Sequence, residues 1–382
     1  MHLALITTEF PPGPHGGTGA SLADLARSMA QLGHQVTVLV LASSRRGEPP
    51  AEPTGNEGVH VIRLGARFPL LRYRSESLLR RWLLRRAIVR LHARSPVSVV
   101  EASDYEGWLP AGLPRPIGRA VRIRGSNLYF DSLLGRPGDA WTHRLERNAL
   151  RRADALTSVS RFAGEETLRL ANLDRPFEVL PNAVDTERFR PPAPGERVPG
   201  RILFVGSTGP KKGLRELVAA FTVLVREFPD LSLHCVGPES GLSQAELLDR
   251  IPPDTAGRIA FEGAVPRARV AELLRTASFC CMPSHLETFG IAALEAMACA
   301  RPLIFTSTGP GPELLRDGEE GLLCDPHDPV AIAAALRRFI LNPEYAARLG
   351  MAARSRVERD FALGAWPRRN EAYYTAVAAR TV

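Results

Sequence analysis

Glu287 and Glu295 stand eight residues apart in CMPSHLETFGIAALEAMACARP, residues 281–302. One precedes an apolar run and the other lies inside it. A carboxylate in such surroundings is costly unless donors or a cation satisfy it. Glycoside hydrolysis by a retaining pair of acids needs them roughly 5 Å apart. An eight-residue step along one helix separates them by about 12 Å, which argues against that chemistry. Ligand binding fits better. Ser284 and His285 fall in the predicted turn, and Phe289, Gly290 and Ile291 open the predicted helix. The first amides of a helix would face a bound group. Glu287 then either accepts from sugar hydroxyls or satisfies a backbone amide near the helix start. Glu295 suits a vicinal diol such as a ribose, or is an interior acid with its own partner.

A cation is available nearby in kind. Of the 49 basic residues only two are lysines, and they are neighbours, Lys211 and Lys212, in VGSTGPKKG, residues 205–213. Lys212 sits at an expected helix start, where an ammonium conflicts with the positive end of the dipole. A bound anion removes that conflict; the alternative is a solvent-exposed turn. Residues 11–21, PPGPHGGTGAS, also follow a predicted strand. Gly16, Gly17 and Gly19 permit close backbone approach, and the following helix offers free amides to an anion. The stretch matches neither GxGxxG nor the GKS/GKT of a phosphate loop, and a tight turn explains its glycines equally well. Gly237 in VGPES would let the chain pass close to a ligand. Val265 in FEGAV would pack on a flat ring or on the core.

These segments need elements to hold them. Short apolar runs at 2–10, 35–42, 58–65, 97–104, 120–126, 154–160 and 177–184 read as strands, with a helix at 18–32. Several are apolar throughout, as in parallel sheets covered on both faces. FRPPAPGERVPG, residues 189–200, interrupts the pattern with four prolines and two glycines. Strands then recur at 201–207, 231–237, 258–263, 277–283, 301–307 and 320–326, with helices near 213–227, 266–276 and 328–340. The expectation is two α/β domains, 1–188 and 201–360, joined by a linker at 189–200. Residues 361–382 would cross back as a helix onto the first domain. Ligands in this class bind beyond the C-terminal strand ends, here in a deep cleft between the domains.

The 382 residues carry 45% hydrophobic and 24% charged side chains, as a globular protein does. The five cysteines show no metal-ligand spacing and read as reduced core residues of a cytosolic protein. Met1 leads directly into an apolar strand, and no run of about 18 apolar residues occurs. Neither a signal peptide nor a membrane span is therefore expected. The net charge of +8 belongs wholly to residues 1–190, with 27 arginines against 19 acids. The balanced second half, without aromatic–basic interleaving, argues against a nucleic-acid partner. Residues 71–95 read as a basic amphipathic helix. They contain Arg72, Arg74, Arg80, Arg81, Arg85, Arg86, Arg90 and Arg94 around Trp82. Peripheral contact with an anionic membrane is one expectation, and a sheet-packing helix with its arginines in water is the other.

Taken in order, these segments resemble the retaining glycosyltransferases of family 4. The resemblance rests on GGTGAS, PNAVDTERF (181–189), VGSTGPKKG, VGPES, FEGAV, the EX7E pair Glu287–Glu295 and TSTGPGPELLRDGEEGLL. It implies the GT-B fold, two Rossmann-like domains facing across a cleft. It implies transfer of a sugar, hexosyl or N-acetylhexosaminyl, from a UDP-, GDP- or ADP-sugar to an acceptor hydroxyl, without cofactor or metal. Lys212 and Glu287 would be catalytic. Lys212, with Lys211, would neutralise the diphosphate, and Glu287 with the Phe289, Gly290 and Ile291 turn and His285 would hold sugar and phosphate. Glu295 would bind the ribose, the backbone near Gly237 and Val265 the base, and Gly16 and Gly17 would close over the donor. The chain departs from the pattern at Ser207, where an arginine is usual. It also departs at VVEASDYEG and RIRGS, where Glu101, Asp104 and Arg124 stand on the expected acceptor side in place of the usual histidines. A polysaccharide, a lipid or a small natural product would serve as acceptor. A sugar-nucleotide epimerase or hydrolase of the same architecture, or a weakened sugar-nucleotide binder, are the alternatives. The enzyme is expected in the cytoplasm, at most peripheral on the inner membrane face.

Overall fold

A computed structural model describes residues 1–13, 16–41, 58–64, 73–193, 195–196, 198–249 and 251–380. The chain forms two compact units, residues 1–181 with 364–382, and residues 182–363.

In the first unit the predicted strands become β1 (His2–Thr7), β2 (Gln35–Leu41), β3 (Val59–Leu64), β4 (Val99–Ser103), β5 (Gly118–Ile123), β6 (Ala155–Ser158) and the two-residue β7 (Glu178–Val179). Helices α1 (Gly17–Gln31), α2 (Tyr73–Arg94), α3 (Asn127–Leu133), α4 (Ala140–Arg152) and α5 (Arg161–Ala171) connect them. All pairings are parallel and the strand order is β3-β2-β1-β4-β5-β6-β7. The order reverses between β1 and β4, the position at which α/β sheets open a crevice for ligands. Strand side chains such as Ala4, Val100 and Val121 bury against Leu84 and Ile88 of α2. Helix α2 has an inner face of Ser77, Leu84 and Ile88. Its outer face mixes exposed Tyr73, Leu78 and Trp82 with arginines rather than segregating them. The amphipathic pattern expected for 71–95 is therefore not present. Five arginines already have partners inside the unit: Arg74 lies over Trp141, Arg80 pairs with Glu76, Arg81 lies over Trp108, Arg85 bonds the Gly112 carbonyl and Arg86 lies over Trp82. Arg72 lies outside the described residues.

The second unit repeats the plan with β8 (Arg201–Val205), α6 (Leu214–Glu227), β9 (Ser232–Val236), α7 (Gln244–Leu248), α8 (Pro253–Ala256), β10 (Ile259–Gly263) and α9 (Arg267–Thr276). It continues with β11 (Phe279–Met282), α10 (Ile291–Ala298), β12 (Leu303–Thr306), α11 (Gly311–Leu314), β13 (Leu322–Cys324), α12 (Pro329–Leu341) and α13 (Pro343–Asp360). Its parallel sheet runs β10-β9-β8-β11-β12-β13 and reverses between β8 and β11. The core joins Phe204, Leu217, Phe221, Leu233, Ile304 and Phe339. The last helix, α14 (Trp366–Ala379), belongs to the first unit. Its Tyr374 hydroxyl donates to Glu101 at 2.9 Å, and Trp366 Nε1 donates to the Pro181 carbonyl at 2.6 Å. Gly118 lets it approach: a Cβ there would lie 2.9 Å from Val377.

The segment expected as a linker, 189–200, is built into the second unit. Phe189 is fully buried, and Arg354 donates to the carbonyls of Phe189 (2.8 Å) and Thr186 (3.2 Å). Val198 exchanges backbone and side-chain bonds with Thr276 and Ser278. Proline content marked an irregular path, but these bonds fix it in place. The units part instead at Pro181 and Leu363.

Candidate active site

Because β8 and β11 are parallel neighbours, the turns leaving their C-terminal ends must meet. The register Phe279↔Ile202 and Cys280↔Leu203 sets them level. His285 and Leu286 donate their amides to the Lys211 carbonyl at 2.9 and 3.3 Å, tying the turns together. Gly213 makes the approach sterically feasible. It has φ 67°, and a Cβ there would stand 1.8 Å from the Pro283 carbonyl oxygen. Only glycine adopts that conformation so near another backbone without strain.

The consequence is an ion pair 75 residues apart in sequence. Lys212 Nζ lies 2.6 Å from Glu287 Oε1, and Ser284 Oγ donates to the same oxygen at 2.9 Å. The two side chains remain 22% and 15% exposed. An incoming anion can therefore reach the ammonium without unfolding anything. Glu287 lies in the turn before α10, so the eight-residue spacing to Glu295 is not a helical repeat. Gly290 caps α10 with φ 102°, and a Cβ there would meet Phe305 at 2.7 Å. Phe289 is buried edge-on against Phe361, and Ile291 is the first helical residue.

Glu295 lies inside α10, nearly buried, and accepts from Arg267 Nε and Nη2, both at 2.9 Å. Strand ends β8, β9 and β10 close together on glycines. A Cβ on Gly237 (φ 143°) would stand 2.1 Å from the Gly206 carbonyl, and the Gly237 amide donates to Gly263 at 2.8 Å. Val265 follows, half-buried. The His285 ring stacks on His327 with centroids 4.2 Å apart, and its Nε2 lies 3.2 Å from Glu216 without making a hydrogen bond. Among the described residues no group of three His, Cys, Asp or Glu side chains could hold a metal ion.

The first unit gives a different result. Two of the amides expected to await an anion at the start of α1 are engaged within the chain. Glu9 Oε2 accepts from Gly16 and Oε1 from Gly19, each at 2.9 Å. Gly17 opens the helix. Glu101, expected on the acceptor side, has its carboxylate engaged by other residues of the unit. Its carboxylate is buried within the sheet, where Arg122 donates Nε at 2.9 Å and Nη2 at 3.0 Å, and Asn370 takes a further Arg122 bond at 2.8 Å. Burial opposes the charge of Arg122, but Glu101 and Tyr374 raise its pKa above the ordinary value. Asp104 is fully buried and accepts from the amides of Arg124 (2.9 Å) and Gly125 (3.3 Å). Burial pushes its carboxyl up, against those bonds. Arg124 remains as the group without full satisfaction. Its Nη2 is buried with no hydrogen-bond partner among the described residues, and burial together with Arg122 lowers its pKa to about 10.

Sequence reading missed Glu9, Arg267 and Gly213. Arg267 was hidden among many arginines, but a cation at the first position of a helix was the available signal.

Two Rossmann-like units, with strand orders 3-2-1-4-5-6-7 and 3-2-1-4-5-6, are the architecture of the GT-B fold. Comparison with known proteins agrees. Residues 15–188 match the model described as Glycosyltransferase Family 4, and residues 185–356 the model Glycosyl transferases group 1. The chain belongs to this glycosyltransferase family, whose members move a sugar from a nucleotide sugar to an acceptor hydroxyl. It is similar to glycogen synthase of Mycobacterium tuberculosis, 27% identical over 94% of this chain and 91% of that one. It is also 33% identical to D-inositol 3-phosphate glycosyltransferase of Streptomyces scabiei over 67% of this chain and 62% of that one. Sucrose-phosphate synthase from Thermosynechococcus elongatus shares the fold, with a TM-score of 0.83 at 22% identity over 99% of both chains.

Proposed function

We propose that the enzyme transfers a hexosyl or N-acetylhexosaminyl group with retention of configuration, and that the Lys212–Glu287 pair is its reacting centre. The observation that carries this reading is the half-exposed ammonium bonded to Glu287 at the β8/β11 switch point. On binding, a nucleoside diphosphate takes over Lys212, and Glu287 is released to accept from the sugar's hydroxyls. The anomeric C–O bond to phosphate then breaks, with its electron pair left on the diphosphate. The acceptor oxygen bonds to the same face of the anomeric carbon, and its proton passes to the departing phosphate oxygen. Lys212 stabilises the charge as it develops, the term that dominates in such sites. Lys211 adds a second cation in the same turn, where Ser207 supplies none. Glu295 accepts from the ribose, and the Gly237 and Val265 segments line the base.

Arg124 supports an acceptor bearing a polar or anionic group, since its Nη2 is a buried donor awaiting a partner. The acceptor of the inositol-phosphate relative is anionic by name, in keeping with this. The enzyme works in the cytoplasm, in line with five free, buried cysteines. Exposed Leu78 and Trp82 beside a dense run of arginines, without a segregated apolar face, support a peripheral touch on anionic lipid through charge. No helix among the described residues is long and apolar enough to cross a membrane.

A panel of UDP-, GDP- and ADP-sugars, with and without candidate hydroxyl acceptors, tests the reading. Acceptor-dependent release of nucleoside diphosphate with an unchanged anomeric configuration by NMR is expected. Release without acceptor would favour a hydrolase or epimerase, and binding without release a weakened binder. Pelleting with anionic vesicles, lost on Trp82→Ala, checks the lipid contact.

A further inference from the structure

We infer that Arg267 is a positioning residue for donor recognition: it holds Glu295 in the orientation from which that carboxylate reads the ribose diol. The inference rests on the proposed donor role of Glu295. Arg267 is the first residue of α9, following Pro266 directly. A cation at that end of a helix is disfavoured by the dipole, so a local partner must outweigh the conflict. Glu295 is that partner, with Nε and Nη2 both 2.9 Å from Oε1. The central carbon of the same guanidinium lies over the Phe189 ring, 5.3 Å from its centroid. Phe189 is fully buried and anchored by Arg354. A guanidinium held between a fixed ring and a carboxylate has little freedom to turn, so its donors are fixed too.

The carboxylate is therefore oriented from outside its own helix. Arg267 and Glu295 belong to different helices, and the guanidinium joins their side chains. Val265 stands two residues before Arg267 in the same β10–α9 turn, so base-lining and diol-reading groups share one mounting. A lysine could supply the charge but neither the stacking face nor the fork. Arg267 touches neither sugar nor phosphate in this scheme. Its effect is on discrimination, not on the chemical step.

Calorimetric binding of UDP, GDP and ADP, each against its 2′-deoxy counterpart, tests this on wild type, Arg267→Met, Arg267→Lys and Glu295→Gln. A carboxylate–hydroxyl bond is worth about tenfold or more in affinity. Wild type should therefore prefer the ribo form of its own nucleotide by about that factor. Glu295→Gln should reduce the preference. Arg267→Met should reduce it as far, and Arg267→Lys should restore only part. A merely structural arginine would weaken ribo and deoxy forms equally and leave the ratio intact; that result overturns the inference while the role of Glu295 stands. An undiminished ratio in Glu295→Gln, or no binding of any nucleotide to wild type, overturns the donor reading and this inference with it. If Arg267→Met fails to fold, the ratio in Arg267→Lys decides: a wild-type ratio there rejects the inference.

Discussion

Two ion pairs, one in each unit, look alike in sequence and differ in what surrounds them. Lys212–Glu287 sits where two strand-end turns meet, with side chains 22% and 15% exposed. Arg122–Glu101 sits within the first sheet, at 1% and 4%. The first pair includes a Lys212–Glu287 bond and a serine hydroxyl at its rim. The second has a two-pronged bond, Asn370 and Tyr374. A pair at the edge can exchange its partner for a ligand at small cost. A pair enclosed on all sides cannot, because opening it strands a charge in a low-dielectric interior. The enclosed pair fastens α14 to β4 and β5; the edge pair is available for chemistry. Exposure, not residue type, separates the two pairs.

The sharpest way to break this comparison is to remove one acid from the enclosed pair. Glu101→Ala should cost about 3–5 kcal/mol of stability, the usual penalty for orphaning a buried charge. Urea denaturation of both proteins measures it, and a loss below about 1 kcal/mol would mean the pair is not structural. Next in size is Lys212→Ala. It should lower kcat by about 10²–10³-fold, as loss of one preorganised group at a developing anion does. Its melting temperature should stay close to wild type, and a large drop would place Lys212 with Arg122. Gly213→Ala should be milder. A left-handed alanine costs roughly 1–3 kcal/mol, and displacement of the turn from Pro283 should cut kcat more than it weakens nucleotide binding. Equal kcat for Gly213→Ala and wild type would show that the turn tolerates movement.

The smallest effect sharpens the contrast between rim and core of the second unit. All five cysteines lie there, buried. Burial pushes Cys299 and Cys324 up to about 12 and the other three higher still. A raised thiol pKa leaves almost no thiolate at pH 8. Native protein should therefore resist a disulfide reagent at that pH, and denatured protein should release all five thiols. Rapid native labelling would show that the core opens.

Much of this was legible beforehand. The double α/β plan followed from apolar runs alternating with helical periodicity. Lys212, Glu287 and Glu295 stood out because a lysine pair and two acids in apolar surroundings demanded partners. What escaped was partnership across distance. Glu101 meets Arg122 21 residues on and Tyr374 273 residues on, and no local pattern encodes that. Glu9 reaches across the glycine loop to fill amides that composition alone presents as open. The Pro-rich stretch at 189–200 read as a linker because proline announces irregularity without saying whether tertiary bonds fix it. Helix α2 read as amphipathic because a high density of arginine resembles a polar face until burial shows where each one points.

The central claim is that the Lys212–Glu287 pair opens to receive a diphosphate. A crystal structure with the bound nucleoside diphosphate tests it most directly. The ammonium should lie within about 3.2 Å of a phosphate oxygen, with its present 2.6 Å contact to Glu287 lengthened or lost. A complex in which that contact persists while the phosphates bind elsewhere would contradict the claim.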